Sequence, residues 1–175
     1  MTKTYPDLKG AIRDIPDFPK KGIIFKDITT LLTRGDLFRK VIDEFASRYS
    51  AMKIQKVVGI ESRGFIFGSA LAYKLGAGIV PVRKKGKLPH KTVAATYQLE
   101  YGTDTLEMHA DALDGGSRVL VVDDLLATGG TAKATAQLIK KVGGTIAGYA
   151  FLIELLFLKG RKNLDGYEVY SLIQY

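Results

Sequence analysis

Cysteine is absent from the 175 residues, and histidine occurs only at His90 and His109. Without cysteine there is no disulfide and no thiolate metal site, which fits a reducing cytoplasm. Two histidines are too few for a His-rich zinc centre. Long apolar runs are missing as well. None approaches the roughly 18 residues that span a bilayer, and the longest, from Ile146 to Leu158, is broken by Gly148 and Glu154. The stretch from Met1 to Lys9 is polar and lacks the apolar centre of a signal peptide, so no membrane partner is expected. Neither a G-x-x-x-x-G-K-[ST] nor a strand-borne G-x-G-x-x-G occurs, which removes the P-loop and dinucleotide-binding readings.

What is present is a globular balance, 46% hydrophobic and 25% charged, which argues against disorder. The length fits one domain, 1–175, around a single core. The net charge of +8 has two natural partners, a nucleic acid or a small substrate carrying several phosphates. Arg83, Lys84, Lys85, Lys87 and Lys91 crowd into nine positions. Taken alone, such a run reads equally well as a solvated loop.

Pro6, Pro16 and Pro19 make the first twenty residues an irregular arm with apolar Phe18, Ile23, Ile24 and Phe25 to pack it. Leu37, Phe38, Val41, Ile42, Phe45, Ala46 and Tyr49 recur at helical spacing, with Asp36 as the expected N-cap. Short β-branched runs follow at Lys56–Ile60, Gly78–Val82, Val119–Val122, Ile146–Leu155 and Val169–Ile173. Helical stretches from Phe65 to Leu75 and from Thr131 to Val142 alternate with them, and Gly143-Gly144 supplies the second one's stop. The alternation predicts an α/β fold, a mainly parallel central sheet flanked by helices. Thr92 to Met108 breaks the rhythm, and Gly102-Thr103-Asp104 divides it into a long hairpin projecting from the sheet, flanked by the basic run. Loops of this length are usually functional or disordered.

The most informative stretch is VLVVDDLLATGGT, Val119 to Thr131. A strand buried on both faces ends in Asp123 and Asp124, and a short glycine-rich loop, Ala127, Thr128, Gly129, Gly130 and Thr131, opens a helix. Ligands of open α/β sheets bind at the carboxyl ends of strands. Glycine lets backbone N–H groups approach a phosphate, and the helix terminus adds positive potential. Two carboxylates beside a phosphate repel it unless something separates them, and sugar hydroxyls would do so.

This constellation resembles the phosphoribosyl pyrophosphate signature of the type I phosphoribosyltransferases. The segment from Phe18 to Thr29 is similar to the base-binding stretch of the adenine phosphoribosyltransferases, and Glu61-Ser62-Arg63-Gly64-Phe65 to their pyrophosphate loop. Arg83 to Pro89 and Tyr97 to Gly102 resemble their catalytic hood. The resemblance runs from about Asp17 to Tyr175. It implies the type I fold with an N-terminal base-binding hood (1–33) and a mobile β-hairpin loop (84–109). The implied reaction converts adenine and phosphoribosyl pyrophosphate to AMP and pyrophosphate in purine salvage, with magnesium as cofactor.

The resemblance also implies residue roles. Ile24, Phe25 and Lys26 would hold adenine; Asp123 and Asp124 the ribose; Ala127, Thr128, Gly129, Gly130 and Thr131 the 5′-phosphate. Ser62, Arg63, Arg83 and Lys87 would take the pyrophosphate, and the Glu61–Ser62 peptide would be cis. Glu100, with Tyr101 beside it in the hood, would manage the proton on the purine imidazole ring, and Arg63 would share the catalytic work. Magnesium would have no direct protein ligand and would reach Asp123 and Asp124 only through water. A homodimer in the cytoplasm is implied. A pyrophosphorylated substrate accounts for the basic run without nucleic acid.

Two rivals differ in kind. Enzymes for hypoxanthine, guanine or xanthine usually carry their base-recognition hood at the C-terminus, whereas the matching segment here is N-terminal. A nucleic-acid-binding regulator on the same fold would need a DNA-binding extension, and the residues before the first clear helix are too few and too proline-rich.

Overall fold

The computed structural model describes residues 4–98 and 102–175. A seven-stranded sheet lies at its centre, in the order β5-β6-β4-β3-β7-β8-β9. The strands are β3 (Lys56–Ile60), β4 (Gly78–Lys84), β5 (Thr92–Gln98), β6 (Thr103–His109), β7 (Arg118–Leu126), β8 (Thr145–Glu154) and β9 (Val169–Gln174). From β4 to β9 every pairing is parallel; β6 joins β4 antiparallel, and β5 closes the edge as its hairpin partner. The mainly parallel α/β sheet is as the alternation predicts.

Helices cover both faces. On one lie α3 (Gly35–Tyr49) and α4 (Gly64–Leu75), whose Leu37, Val41, Phe45, Phe67 and Leu71 join Val57, Leu120 and Val122 in one core. On the other, α5 (Gly130–Lys141) packs Ala132, Ala134, Ala136, Leu138 and Ile139 against Val119, Val121, Tyr149 and Phe151. Val119 to Val122 have no exposed surface, because neighbouring residues of one strand feed opposite cores. Tyr49 ties α3 to the sheet, its hydroxyl donating to the Tyr149 carbonyl at 2.9 Å.

Three expectations need correction. The N-terminal arm is not irregular. Pro6 opens a short helix, α1 (Pro6–Gly10), where its missing N–H costs nothing, and Leu8 is fully buried. β1 (Arg13–Pro16) then pairs antiparallel with β2 (Ile24–Asp27), and a short helix α2 (Thr29–Leu32) follows. The N-cap of α3 is Arg34 rather than Asp36, which sits in the first turn, where a carboxylate still favours the helix dipole. The hairpin does not simply project. It extends the sheet edge and folds onto α5, where Lys141 donates to the Ala94 carbonyl at 2.5 Å.

Candidate active site

β7 runs past its apolar stretch, so Asp123 and Asp124 stand within the strand, and Ala127 to Gly129 cross from its end to α5. Gly129 has φ +82°, and a Cβ there would lie 2.4 Å from the Gly160 carbonyl oxygen. A side chain is excluded by both conformation and contact. The first amides of α5 lack helical acceptors and face this crossing. Asn163 braces the loop from outside, donating to the Thr128 carbonyl at 2.8 Å.

The loop from Glu61 to Arg63 joins β3 to α4, and the Glu61–Ser62 peptide is cis, as the resemblance implies. It presses on β7: a Cβ on Gly64 would meet Asp123 Oδ1 at 2.8 Å. Arg63, the N-cap of α4, donates from Nε to Asp124 Oδ2, and its guanidinium lies 5.5 Å from the Phe25 ring centre. Phe25 of β2, Arg63 of the β3–α4 loop and Asp124 of β7 thus meet. Asp124 is 5% exposed. Burial, and then the neighbouring Asp124 carboxylate, push the Asp123 carboxyl well above the usual carboxylate range.

Arg83 and Lys87 come together at the end of β4, and both engage Glu61. Burial alone would raise the Glu61 carboxyl, but hydrogen bonds from Lys87, the Lys84 amide and Arg83 outweigh it and hold it below the usual range. Ser62 is exposed beside them.

A cavity of about 1120 Å³ opens beside the loop between β7 and α5. Ile24 and Lys26 of β2 form one wall, Tyr97 and Gln98 of the hairpin a second, and Thr128, Gly130 and Lys133 the floor. Leu155, Phe157 and Leu158 supply an apolar side. Phe25 is not among the lining residues; it packs edge-on against Phe18, with centroids 5.3 Å apart, on the Arg63 side of the hood. The Lys26 ammonium is held by Asp14 at 2.7 Å and lies 3.8 Å from the Tyr175 ring centre, which leaves the strand backbone, not the ammonium, to address a ligand. Asp123, Thr128, Gly129 and Thr131 border a smaller cavity of about 70 Å³. Glu100 and Tyr101 lie outside the described residues.

Sequence reasoning missed the segment after β8. Glu154 is 2% exposed, takes a two-pronged ion pair from Arg161 at 2.5 and 2.6 Å, and accepts from Ser171. That anchor holds Leu155 to Asn163 against the loop. The signal was there: Leu156, Phe157 and Leu158 are apolar yet follow the carboxyl end of a strand, where ligands of such sheets bind. The Glu61 side chain was also missed, though an acid beside a cation-rich loop asks for an explanation.

The phosphoribosyl transferase domain family matches residues 29–172. An adenine phosphoribosyltransferase of Syntrophotalea carbinolica is 61% identical over 169 residues, 97% of this chain and 99% of that protein. The crystal structure of the adenine phosphoribosyltransferase of Thermoanaerobacter pseudethanolicus superimposes with a TM-score of 0.95 at 53% identity, covering 97% of this chain and 99% of that one. The Saccharomyces cerevisiae enzyme, complexed with an iminoaltritol bisphosphate and adenine, superimposes with a TM-score of 0.92 at 44% identity, covering 95% and 97%.

Proposed function

The chain belongs to the phosphoribosyl transferase family, among its adenine phosphoribosyltransferases, and from that premise we propose how the site carries out their reaction. The protein is a pentosyltransferase of purine salvage that converts adenine and phosphoribosyl pyrophosphate to AMP and pyrophosphate. In the reading proposed here, Ala127 to Thr131 bind the 5′-phosphate, and Asp123 and Asp124 hold the ribose hydroxyls. The backbone of Ile24 and Lys26 reads the adenine edge, and Phe25, backed by Arg63, offers a stacking face. The observation that carries this is the meeting of Phe25, Arg63 and Asp124, which joins a base platform to a ribose acid. The yeast relative's structure is a complex with both adenine and an iminoaltritol bisphosphate, which supports a site for a base and a phosphorylated sugar.

Adenine N9 displaces pyrophosphate from C1 of the ribose. Positive charge grows on the sugar and negative charge on the leaving group, so preorganised electrostatics should dominate. Arg63 spends one N–H on Asp124 and turns the rest to the pyrophosphate, where Ser62, Arg83 and Lys87 join it. Glu100 manages the proton of the purine imidazole ring, with Tyr101 beside it in the hood. The hood is the arm 1–33 and the mobile loop 84–109, and its closure excludes water from the activated ribose.

Among the described residues no three His, Cys, Asp or Glu gather as a metal cage. Asp124 is already paired with Arg63, so the donors fit a magnesium ion held chiefly by substrate oxygens and reached from Asp123 and Asp124 through water. Bound there, magnesium supplies positive charge to the pyrophosphate. No helix among the described residues is long and apolar enough to cross a membrane. The family resemblance supports a cytoplasmic homodimer. Exposed Ile66 and Tyr73 of α4 and Ile79 of β4 support a partner there.

Phe25→Ala tests the base assignment. The KM for adenine is expected to rise by about tenfold or more, with the KM for phosphoribosyl pyrophosphate little changed. An unchanged adenine KM would make Phe25 a packing residue only.

A further inference from the structure

Glu61 stands where β3 passes into the pyrophosphate loop, and its carboxylate is turned away from that loop towards the end of β4. Its side chain is 10% exposed. Oε1 accepts from the Lys87 ammonium and lies 3.5 Å from Arg83 Nη2. Oε2 accepts the Lys84 amide at 3.0 Å and lies 3.4 Å from Arg83 Nε. Arg83 in turn donates from Nη1 to the Lys87 carbonyl at 3.1 Å, closing the turn through Gly86. The Gly86 amide donates at 2.9 Å to Glu107, a second carboxylate, 8% exposed.

A largely shielded acid among cations needs a reason when those cations face an anionic substrate, because it subtracts charge from them. Joining β3 to β4 is not reason enough, since the Glu61 amide already donates to the Val82 carbonyl at 2.9 Å. What the carboxylate adds is orientation. Lysine and arginine side chains carry much rotamer freedom, and freezing them before the ligand arrives removes that cost from binding. Lys87 gives Glu61 one bond and has three donors, so the ammonium can serve both.

We propose that Glu61 is a positioning residue for the leaving group, holding Arg83 and Lys87 in place for the pyrophosphate. This rests on the reading that Arg83 and Lys87 bind that group. Glu61→Gln keeps the shape and an acceptor for the Lys84 amide but loses the charge. The KM for phosphoribosyl pyrophosphate and the inhibition constant of free pyrophosphate are both expected to rise by about tenfold. The KM for adenine and the affinity for AMP, which lacks the pyrophosphate, should stay within about twofold. In an Arg83→Ala/Lys87→Ala background the same substitution should add little. Glu61→Asp, which keeps the charge but is too short to reach both cations, should show the same selective loss and covers the case in which the glutamine variant does not fold. A pyrophosphate affinity unchanged or improved in Glu61→Gln, while Arg83→Ala and Lys87→Ala weaken it, would overturn the role of Glu61 alone. Equal losses for AMP and adenine would reduce it to a structural strut. If Arg83→Ala and Lys87→Ala leave pyrophosphate binding intact, the reading beneath the proposal fails and the proposal with it.

Discussion

Single side chains here act mostly through one another. Asp27 accepts from Arg13, from the Thr29 amide and from the Thr29 hydroxyl, so one carboxylate joins β1, β2 and the start of α2. Those bonds, the Thr29 amide first, lower its pKa to about 2. A carboxyl depressed on folding stabilises the protein above its unfolded value and loses that contribution as pH falls through the folded one. The N-terminal arm should therefore loosen between about pH 4 and pH 2, and Asp27→Asn should flatten that part of a stability-against-pH curve. A variant whose acid profile matches the parent would show that Asp27 contributes nothing there. Glu100→Gln is expected to lower kcat by about 100-fold with both KM values nearly unchanged, measured by steady-state kinetics. Asp123 and Asp124 stood out because strand, acids and loop occur in one order, and Arg63 because Glu61 to Phe65 resembles a known loop. Their pairing was not: nothing in the spacing tells that Arg63 reaches Asp124, 61 positions away.

Among elements, the loop between β7 and α5 depends on another element that the sequence did not reveal. The turn from Leu155 to Asn163 lies against it so closely that Gly129→Ala would strike the Gly160 carbonyl. That substitution is expected to lower the melting temperature by several degrees, by scanning calorimetry, and to raise the KM for phosphoribosyl pyrophosphate more than that for adenine. Long periodic elements such as α3 and α4, and buried runs such as β7, were readable because their burial follows their own pattern. α1 and β1 were not, because proline content suggested irregularity while their order comes from contacts distant in sequence, such as Lys9 with the Gln174 carbonyl at 2.7 Å. The hairpin of β5 and β6 was foreseen, but its seat on α5 rests on side chains far along the chain. If the hairpin closes further over substrate, trypsin cleavage at Lys84, Lys85, Lys87 and Lys91 should slow with phosphoribosyl pyrophosphate and magnesium. Cleavage at an unchanged rate would contradict a mobile hood.

For the whole molecule, the net charge of +8 suits a phosphorylated substrate of about five negative charges. In the proposed reading the basic residues that matter are few and placed: Arg63 beside Asp124, and Arg83 and Lys87 together at Glu61. Composition gave the sign of the partner, and only the fold brought those segments to one end of the sheet. A homodimer should sediment as such at micromolar concentration, and a monomer there would remove the proposed partner at α4.

Adenine-specific phosphoribosyl transfer is read out by a spectrophotometric assay with phosphoribosyl pyrophosphate and magnesium. Adenine, hypoxanthine, guanine and xanthine would be offered separately. AMP from adenine alone is the expected result; turnover of an oxopurine, or none of any base by folded protein, would contradict it.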